Sequence, residues 1–346
     1  MGKKQLLATF LYSSGILQWI AKLSPAAITV LGYHRIRDDA AQGAESPFDE
    51  EVFGPTQSQF ERQLKWLKQN FTLLSESELL TILEQPNLRD RYAVLTFDDG
   101  YRDNYELALP VLRAHGAPAI FFVCPGLIDS GTVGWWDLIA YLIKRSAKRT
   151  ICLDGSVFDL EHGKSEAIAQ LTGWMKRRPH RETADLVARI SEACAVALPD
   201  SRQQSRELMT WEEVREAKRQ GIAIGSHTHT HRVLATLREE DERWELRESK
   251  SRLESQLHCG VRTIAYPAGN RSNFTARTKR LVAECGYSAG FSYHSGVNTA
   301  GKVDRFDIAR IAPANDLGPM FGCGAMMPNV FTWVHTPEEP VRSGGL

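Results

Sequence analysis

This chain of 346 residues lacks several features that would immediately assign it to a functional class. It has no excess charge of either sign, because 42 lysines and arginines balance 42 aspartates and glutamates. Nucleic-acid-binding domains usually carry clustered positive charge, so this balance argues against a nucleic-acid partner. Hydrophobic residues make up 42% of the chain, which argues against disorder and predicts a globular protein.

Cysteine is scarce and scattered. The six cysteines show no CxxC spacing, which argues against a thiolate zinc site and against a compact disulfide framework. The GxSxG motif of many serine hydrolases is also missing. We therefore expect a reducing, cytoplasmic compartment and a chemistry without a serine or cysteine nucleophile.

Long hydrophobic runs are missing as well. The N-terminal apolar stretch follows two lysines, is interrupted by serine, glycine and glutamine, and falls short of the ~20 residues that a membrane-spanning helix needs. We expect a leader helix over residues 1–25. It either packs on the domain or makes peripheral contact with a membrane surface through Leu7, Phe10, Leu11, Leu17 and Trp19.

The rest of the chain repeats a short apolar run, polar or glycine residues, and a stretch with helical spacing. The runs cover residues 28–33, 92–97, 117–123, 221–225, 263–266, 287–291 and 306–311. The helical stretches between them include residues 58–69, 105–115, 210–220, 239–257 and 273–285. This alternation is typical of parallel strands joined by helices, and it predicts an α/β fold, a distorted (β/α) barrel with about seven parallel strands.

One segment, at about residues 129–208, interrupts this alternation. It contains a helical stretch at 135–146, a hairpin signal at Asp154-Gly155 and a basic helical pair at 174–196. Segments this long between strands usually carry a function or a subdomain. No proline- and serine-rich linker separates it, so we predict a single barrel domain over residues 26–346 with a helical and hairpin insertion beside the barrel mouth.

Two carboxylates stand at the end of the second apolar run, in the segment LTFDDG (95–100). Active sites of parallel barrels lie at the carboxyl ends of the strands, where Asp98 and Asp99 fall. Neighbouring strand residues point to opposite faces, so both acids can serve one site only if the backbone turns, which Gly100 permits. One acid can then hold a metal while the other takes a proton from water. A simple polar turn is the alternative.

Three histidines follow the fourth run, in the segment GSHTHTH (225–231). His227 and His231 are four residues apart, so one helical turn would place both imidazoles on one side, while His229 would point elsewhere. Two histidines and one carboxylate are typical of a catalytic zinc site, and zinc supplies the activated water that amide hydrolysis requires. The same ligands also accept cobalt, nickel, manganese or iron.

Together the two motifs resemble those of the polysaccharide deacetylases of carbohydrate esterase family four. TFDDG (96–100) resembles the first family motif and HTHTH (227–231) the second. The segments YHRI (33–36), TWEE (210–213) and AYPAG (265–269) are similar to a branch that acts on bacterial exopolysaccharides. The resemblance implies removal of an N-acyl group, usually acetyl, from an amino sugar in a polysaccharide, oligosaccharide or lipid-linked glycan. It implies Asp98 as catalytic base and Asp99, His227 and His231 as ligands of Zn²⁺.

The chain departs from the family pattern at three points. Ala265 stands where much of the family has an arginine that partners the base, and Ala268 stands where an aromatic residue lines the acetyl pocket. Arg310, near the end of the seventh run, is the predicted replacement for the arginine. The late histidine that serves the family as general acid has only the weak candidates His294 and His335.

Three further residues are predicted to line the substrate. His34 ends the first run, Trp136 opens the insertion near the barrel mouth, and Tyr266 lies in the third similar segment. Two other functions remain open. The missing aromatic residue at position 268 leaves room for hydrolysis of a non-sugar amide or formamide. Because the family's arginine and general acid are missing, a carbohydrate-binding relative without catalytic activity is the other alternative.

Overall fold

The computed structural model describes residues 3–331 with the exception of 18, 20–25, 42, 44, 86–89, 180–181, 201–203, 205–206, 297, 300, 302 and 316. The strands are β1 (Ala27–Tyr33), β2 (Arg35–Arg37), β3 (Phe53–Thr56), β4 (Thr72–Leu73), β5 (Tyr92–Phe97), β6 (Ile120–Val123), β7 (Thr150–Leu153), β8 (Ser156–Asp159), β9 (Ala223–Ser226), β10 (Thr263–Ala265), β11 (Ala289–Phe291) and β12 (Asn298–Thr299). Most of the central strands coincide with apolar runs of the sequence.

The helices alternate with these strands along the chain. They are α1 (Lys3–Ser13), α2 (Gln57–Asn70), α3 (Glu76–Leu83), α4 (Leu109–Ala114), α5 (Pro125–Ser130), α6 (Trp135–Arg145), α7 (Lys164–Lys176), α8 (Thr183–Cys194), α9 (Trp211–Arg219), α10 (Glu239–Leu257), α11 (Ala276–Glu284), α12 (Pro319–Met326) and α13 (Pro328–Phe331). A π-helical segment, Asn104–Ala108, leads directly into α4. The four helices α2, α3, α9 and α11 each begin with a serine or threonine capping box, which satisfies backbone N–H groups of the first turn.

The central sheet has the strand order β11-β10-β9-β6-β5-β1-β12, with β4 paired to β5. The pairs from β11 to β1 are parallel, and only β12 joins the sheet antiparallel, against β1. The carboxyl ends of the parallel strands therefore meet at one edge. The predicted distorted barrel with about seven mostly parallel strands is confirmed.

The seventh apolar run (306–311) closes the sheet without forming a regular strand. Ile308 makes a parallel bridge to Phe291 of β11, and Ile311 makes one to Leu31 of β1. The segment therefore makes isolated bridges where the sequence indicated a strand, at the position in the barrel where that strand was expected. The short strands β4 and β12 were not predicted, because two residues are too few to give an apolar run.

Alternate residues of β5 face two different hydrophobic layers. Leu95 and Phe97 belong to the layer beneath the outer helices, whereas Val94 belongs to the interior layer with Phe122 and Phe291. This period of two places the even-numbered residues of β5 inside the barrel. The position that follows the strand at the same parity is 98.

The insertion forms the predicted hairpin and helices and has a hydrophobic core of its own. β7 and β8 pair antiparallel across Asp154-Gly155, and α6, α7 and α8 pack around Ile139, Leu171 and Ile190. Tyr101, next to the β5 turn, is buried in this same cluster. The insertion is therefore attached to the barrel at the mouth.

Within the predicted leader, residues 1–25, the helix α1 covers only Lys3–Ser13, and it packs on α12. Ala8 is buried, and its carbonyl lies 3.7 Å from Cys323 Sγ. Leu17 is also buried, so the expectation that it contacts a membrane is wrong. Leu7 and Phe10 remain exposed. Among the helices that the structure describes, none combines the length and hydropathy needed to span a bilayer.

Candidate active site

The carboxyl edge of the sheet gathers most of the predicted site residues. Asp98 and Asp99 follow β5, His227 follows β9, and His34 follows β1. Arg310 reaches the same edge from the closing segment, just before Ile311 bridges to β1. The parallel pairing of the strands therefore brings together side chains that are more than 200 residues apart in sequence.

Arg310 and Asp98 form a buried, two-pronged ion pair. Nη1 and Nη2 of Arg310 lie 2.7 Å from Oδ1 and Oδ2 of Asp98, respectively. Nη1 also donates to Thr96 Oγ1 at 3.1 Å, and Nε donates to the carbonyl of Ser292 at 2.9 Å. Both side chains are almost fully buried. The structure thus places Arg310 as the partner of the predicted base.

The backbone turns sharply at the second acid. Asp99 has φ 71° and Gly100 has φ 79°, both in the left-handed region. A Cβ on Gly100 would lie 3.1 Å from the side chain of Val123, so the close approach of β6 also favours glycine there. The turn directs Asp99 away from Arg310, and its Oδ1 lies 3.4 Å from Nε2 of His227 and 3.2 Å from Nε2 of His231.

The two histidines converge through a loop and not through a helical turn. Thr228 has φ 62° and His231 has φ 57°, and the segment from 227 to 231 is not helical. The helical-turn argument from the sequence is therefore wrong, although the pairing that it predicted is present, with ring centroids 4.8 Å apart. The ring of His229 packs against Trp244 and does not join the cluster, as expected.

Glu245 of α10 holds this loop in place. Its buried carboxylate accepts hydrogen bonds from the backbone N–H groups of His229 and Thr230, at 2.9 and 2.8 Å, and from the Thr230 hydroxyl. Sequence reasoning missed this residue, because a glutamate in a highly charged helix usually faces solvent. No local signal distinguishes Glu245 from the other acids of α10.

The ligand atoms of Asp99, His227 and His231 all lie within 4.8 Å of one another and are buried. Within the part of the chain that the structure describes, Oδ1 of Asp99 accepts no hydrogen bond although it is buried. The Nδ1 atom of His227 lies 2.8 Å from the carbonyl of Ala265, which leaves Nε2 directed at the cluster. One carboxylate and two imidazoles directed at one point are a donor set that fits a divalent transition metal.

Electrostatics keeps the two acids ionised. Burial acts to raise the pKa of Asp98, but Arg310 and His227 outweigh it and the net shift is downward. Burial likewise acts against ionisation of Asp99, yet the two histidines lower its pKa. Burial lowers the pKa of His231, which favours the neutral imidazole that a metal requires.

Two of the three predicted substrate residues lie at the site. His34 is half-buried at the mouth, its ring 5.3 Å from that of Tyr293, and it contributes to the lowered pKa of both acids. The indole of Trp136 packs against His231 with ring centroids 4.1 Å apart. The insertion therefore supplies one wall of the site.

Among the described residues, two remaining candidates make other contacts. Tyr266 is buried in the core, where its ring stacks on Phe274 and its hydroxyl donates to the carbonyl of Phe306, so it presents no surface to a substrate. His294 pairs with Asp307 at 2.9 Å. His335 lies outside the described residues.

Comparison with known proteins gives a consistent picture. A family model described as polysaccharide deacetylase matches residues 85–290, well over half of the chain. Bacillus subtilis YxkH, a protein named for the same family, is 22% identical over 280 residues, which cover 80% of this chain and 68% of that protein. The poly-β-1,6-N-acetyl-D-glucosamine N-deacetylase of Staphylococcus aureus is 29% identical over 116 residues, which cover 32% of this chain and 40% of the enzyme.

Solved structures share the fold. The Streptococcus pyogenes deacetylase PplD, determined in complex with acetate, has a TM-score of 0.57 at 20% identity and covers 88% of this chain and 100% of its own. IcaB from Ammonifex degensii has a TM-score of 0.56 at 18% identity, with coverages of 87% and 97%. At these identities the likeness shows a common architecture and not a common substrate.

The buried ion pair gives a stability prediction. Arg310→Ala leaves the Asp98 carboxylate buried without its cation, so the free energy of unfolding should fall by about 3–5 kcal/mol. In an Asp98→Asn background, Arg310→Ala should lower the free energy of unfolding by clearly less, because no buried carboxylate is left unpaired. Urea denaturation of the wild type, the two single variants and the double variant measures the loss in each background.

The matched control is Arg189→Ala. Arg189 also pairs with a carboxylate, that of Asp154, but the two side chains are 46% and 40% exposed. The expected loss there is under about 1 kcal/mol. Equal losses at positions 310 and 189, or the same loss at 310 in both backgrounds, would contradict the assignment of Arg310 as the partner of Asp98.

Proposed function

Because the chain belongs to the polysaccharide deacetylase family, whose members are hydrolases of amide bonds, we propose that it removes the N-acetyl group of an amino sugar with the help of a bound divalent metal. The observation that carries this proposal is the convergence of Asp99, His227 and His231 beside the ion pair of Asp98 and Arg310. The substrate would be a polysaccharide, an oligosaccharide or a lipid-linked glycan.

Asp99, His227 and His231 would hold the metal, with zinc favoured by the ligand types. A zinc ion at this point supplies a Lewis acid and lowers the pKa of water to about 7. The buried carboxylate Oδ1 that accepts no hydrogen bond within the described chain is the atom that most needs such a partner. The contact of His227 with the Ala265 carbonyl fixes its tautomer, so that Nε2 carries the free lone pair.

Asp98 would act as the general base. Its Oδ2 lies 3.9 Å from Nε2 of His227, so it borders the metal site without joining the ligand set. Arg310 keeps it ionised and fixes its plane, which prepares it to take a proton from the attacking water. Arg310 thus performs from the closing segment the role for which the methyl group of Ala265 offers neither charge nor hydrogen-bond donor.

His34 is the residue that we propose faces the leaving amine. It follows β1 at the carboxyl edge of the sheet, where Asp98 and Asp99 follow β5, and its ring lies 5.3 Å from that of Tyr293. Neither His294 nor His335 is placed in the site by the described structure. A protonated His34 could donate to the departing nitrogen, which would supply the acid that the sequence pattern left unassigned.

The choice of an N-acetylated glycan rests on the relatives. One acts by name on poly-β-1,6-N-acetyl-D-glucosamine, and one solved structure contains acetate. The non-sugar amide alternative rests only on Ala268, which leaves one wall of the acyl pocket without an aromatic residue. The non-catalytic alternative loses part of its motivation, because Arg310 supplies the missing partner of the base.

The central test combines metal content with acetate release from N-acetylglucosamine oligomers. Wild type should carry about one metal per chain and release acetate. Asp98→Asn should keep the metal and lose at least about 100-fold in rate, because only the base is removed. His227→Ala should lose both metal and activity.

His229→Ala is the matched control, since it removes a histidine of the same loop whose ring faces Trp244 and not the cluster. It should retain metal and activity. A wild-type protein without metal, or a fully active Asp98→Asn variant, would contradict the proposed mechanism. Faster release of formate from N-formyl oligomers than of acetate would favour the formamide alternative.

We further propose that α1 rests on an anionic membrane surface. Leu6, Leu7 and Phe10 lie on one side of the helix and are 55%, 48% and 58% exposed, while Ala8 packs against the domain. Residues 1–26 contain three lysines and no acidic residue, which complements anionic lipid. The proposal is independent of the catalytic one.

Sedimentation with phosphatidylglycerol vesicles tests this surface. Wild type should bind them, bind phosphatidylcholine vesicles less, and lose binding on Leu7→Ser with Phe10→Ser, because apolar burial and cationic charge both contribute. Val157→Ser, at an apolar residue that is 62% exposed on the hairpin, is the control. Absence of vesicle binding, or equal binding by wild type and the double variant, would contradict the membrane assignment.

A further inference from the structure

The two candidate metal-binding histidines are supported in different ways. His227 has its Nδ1 atom at 2.8 Å from the Ala265 carbonyl, which fixes the ring. The Nδ1 atom of His231 is buried and finds no hydrogen-bond partner among the described residues. The orientation of His231 therefore depends on packing, and its nearest aromatic neighbour is Trp136, at 4.1 Å between centroids and 50° between planes.

Trp136 is in turn held by a chain of buried hydrogen bonds. Its indole N–H donates to the hydroxyl of Tyr101 at 2.7 Å, and that hydroxyl donates to Oδ2 of Asp137 at 2.8 Å. The other oxygen of Asp137 accepts from the backbone N–H of Asp49 at 3.0 Å. The side chains of Tyr101 and Asp137 are completely buried, and Trp136 is 5% exposed.

The backbone before Trp136 leaves space for its indole ring at Gly134. Gly134, the residue before α6, lies under the indole, and a Cβ there would come within 2.4 Å of three ring atoms. The neighbouring indole of Trp135 donates to the carbonyl of His231 at 3.4 Å. The first turn of α6 thus contacts both the ring and the backbone of His231.

We propose that Tyr101 and Asp137 are positioning residues for the metal site, which they order through Trp136 and His231. This inference rests on the proposed metal binding. Tyr101 lies one residue beyond Gly100, so the turn that aims Asp99 also aims the hydroxyl that fixes the indole. Asp137 belongs to the insertion. The insertion is then a working part of the active site, because it holds one of the three ligands in orientation.

Partners that orient a metal ligand affect metal affinity by about 10- to 100-fold when they are removed. Tyr101→Phe removes only the hydroxyl and breaks both of its hydrogen bonds while the ring remains. The zinc dissociation constant, measured by competition with a chelator, should rise at least about tenfold. The absorption spectrum of the cobalt-substituted protein should also change, because the imidazole of His231 is freed to turn.

Tyr33→Phe is the matched control. It also removes one buried tyrosine hydroxyl, bonded to Gln63 of α2 at 2.9 Å, but that hydroxyl lies on the outer face of β1. Zinc affinity and the cobalt spectrum should stay unchanged. A purely structural role of the Tyr101 hydroxyl would lower thermal stability in both variants and leave the metal properties of both alike.

Trp136→Phe provides a second variant in case Tyr101→Phe does not fold. It keeps an aromatic ring near His231 but removes the N–H donor, so it should weaken zinc binding in the same direction. A wild type that binds no zinc would contradict the proposed function itself. A wild type that binds zinc, with Tyr101→Phe and Trp136→Phe binding it as tightly as Tyr33→Phe, would overturn this inference and leave the proposed function standing.

Discussion

Two adjacent carboxylates buried at the end of β5 are the constraint on which the rest of the site depends. Side by side in a low-dielectric interior, they can both stay ionised only if each has its own compensating partner. The left-handed turn at Asp99 separates them. Asp98 continues the inward-facing positions of the strand and meets Arg310, whereas Asp99 turns toward the two histidines.

This division explains why distant segments must converge. Arg310 reaches Asp98 because the last apolar segment bridges both β11 and β1 and so closes the barrel beside β5. His227 and His231 reach Asp99 because β9 ends at the same edge and because Glu245 fastens the loop that follows. Trp136 then covers the second histidine from the insertion. Each of these elements either compensates one buried charge or orients one candidate metal ligand.

Much of this could be predicted from local pattern. Continuous apolar runs located six central strands, and the residues that follow them located the acids, His227 and Arg310. Local pattern did not predict the backbone conformation of the histidine loop or the burial of individual side chains. A four-residue spacing suggested a helical turn, but left-handed residues at Thr228 and His231 bring the rings together instead. Tyr266 stands next to a strand end, yet tertiary packing directs its ring into the core. Glu245 looks like a solvated helix residue and is buried through contacts that only the fold creates.

X-ray absorption at the metal edge of the purified chain would test the central claim most directly. The account predicts one metal whose nearest shell holds two imidazole nitrogens and carboxylate or water oxygen at about 2.0–2.2 Å. It predicts that His231→Ala, which loses metal on purification as His227→Ala does, shows one imidazole fewer in the shell when it is reloaded with excess metal. A shell with sulfur at about 2.3 Å, or an unchanged shell in that variant, would mean that the metal lies elsewhere and that Asp99, His227 and His231 are not its ligands.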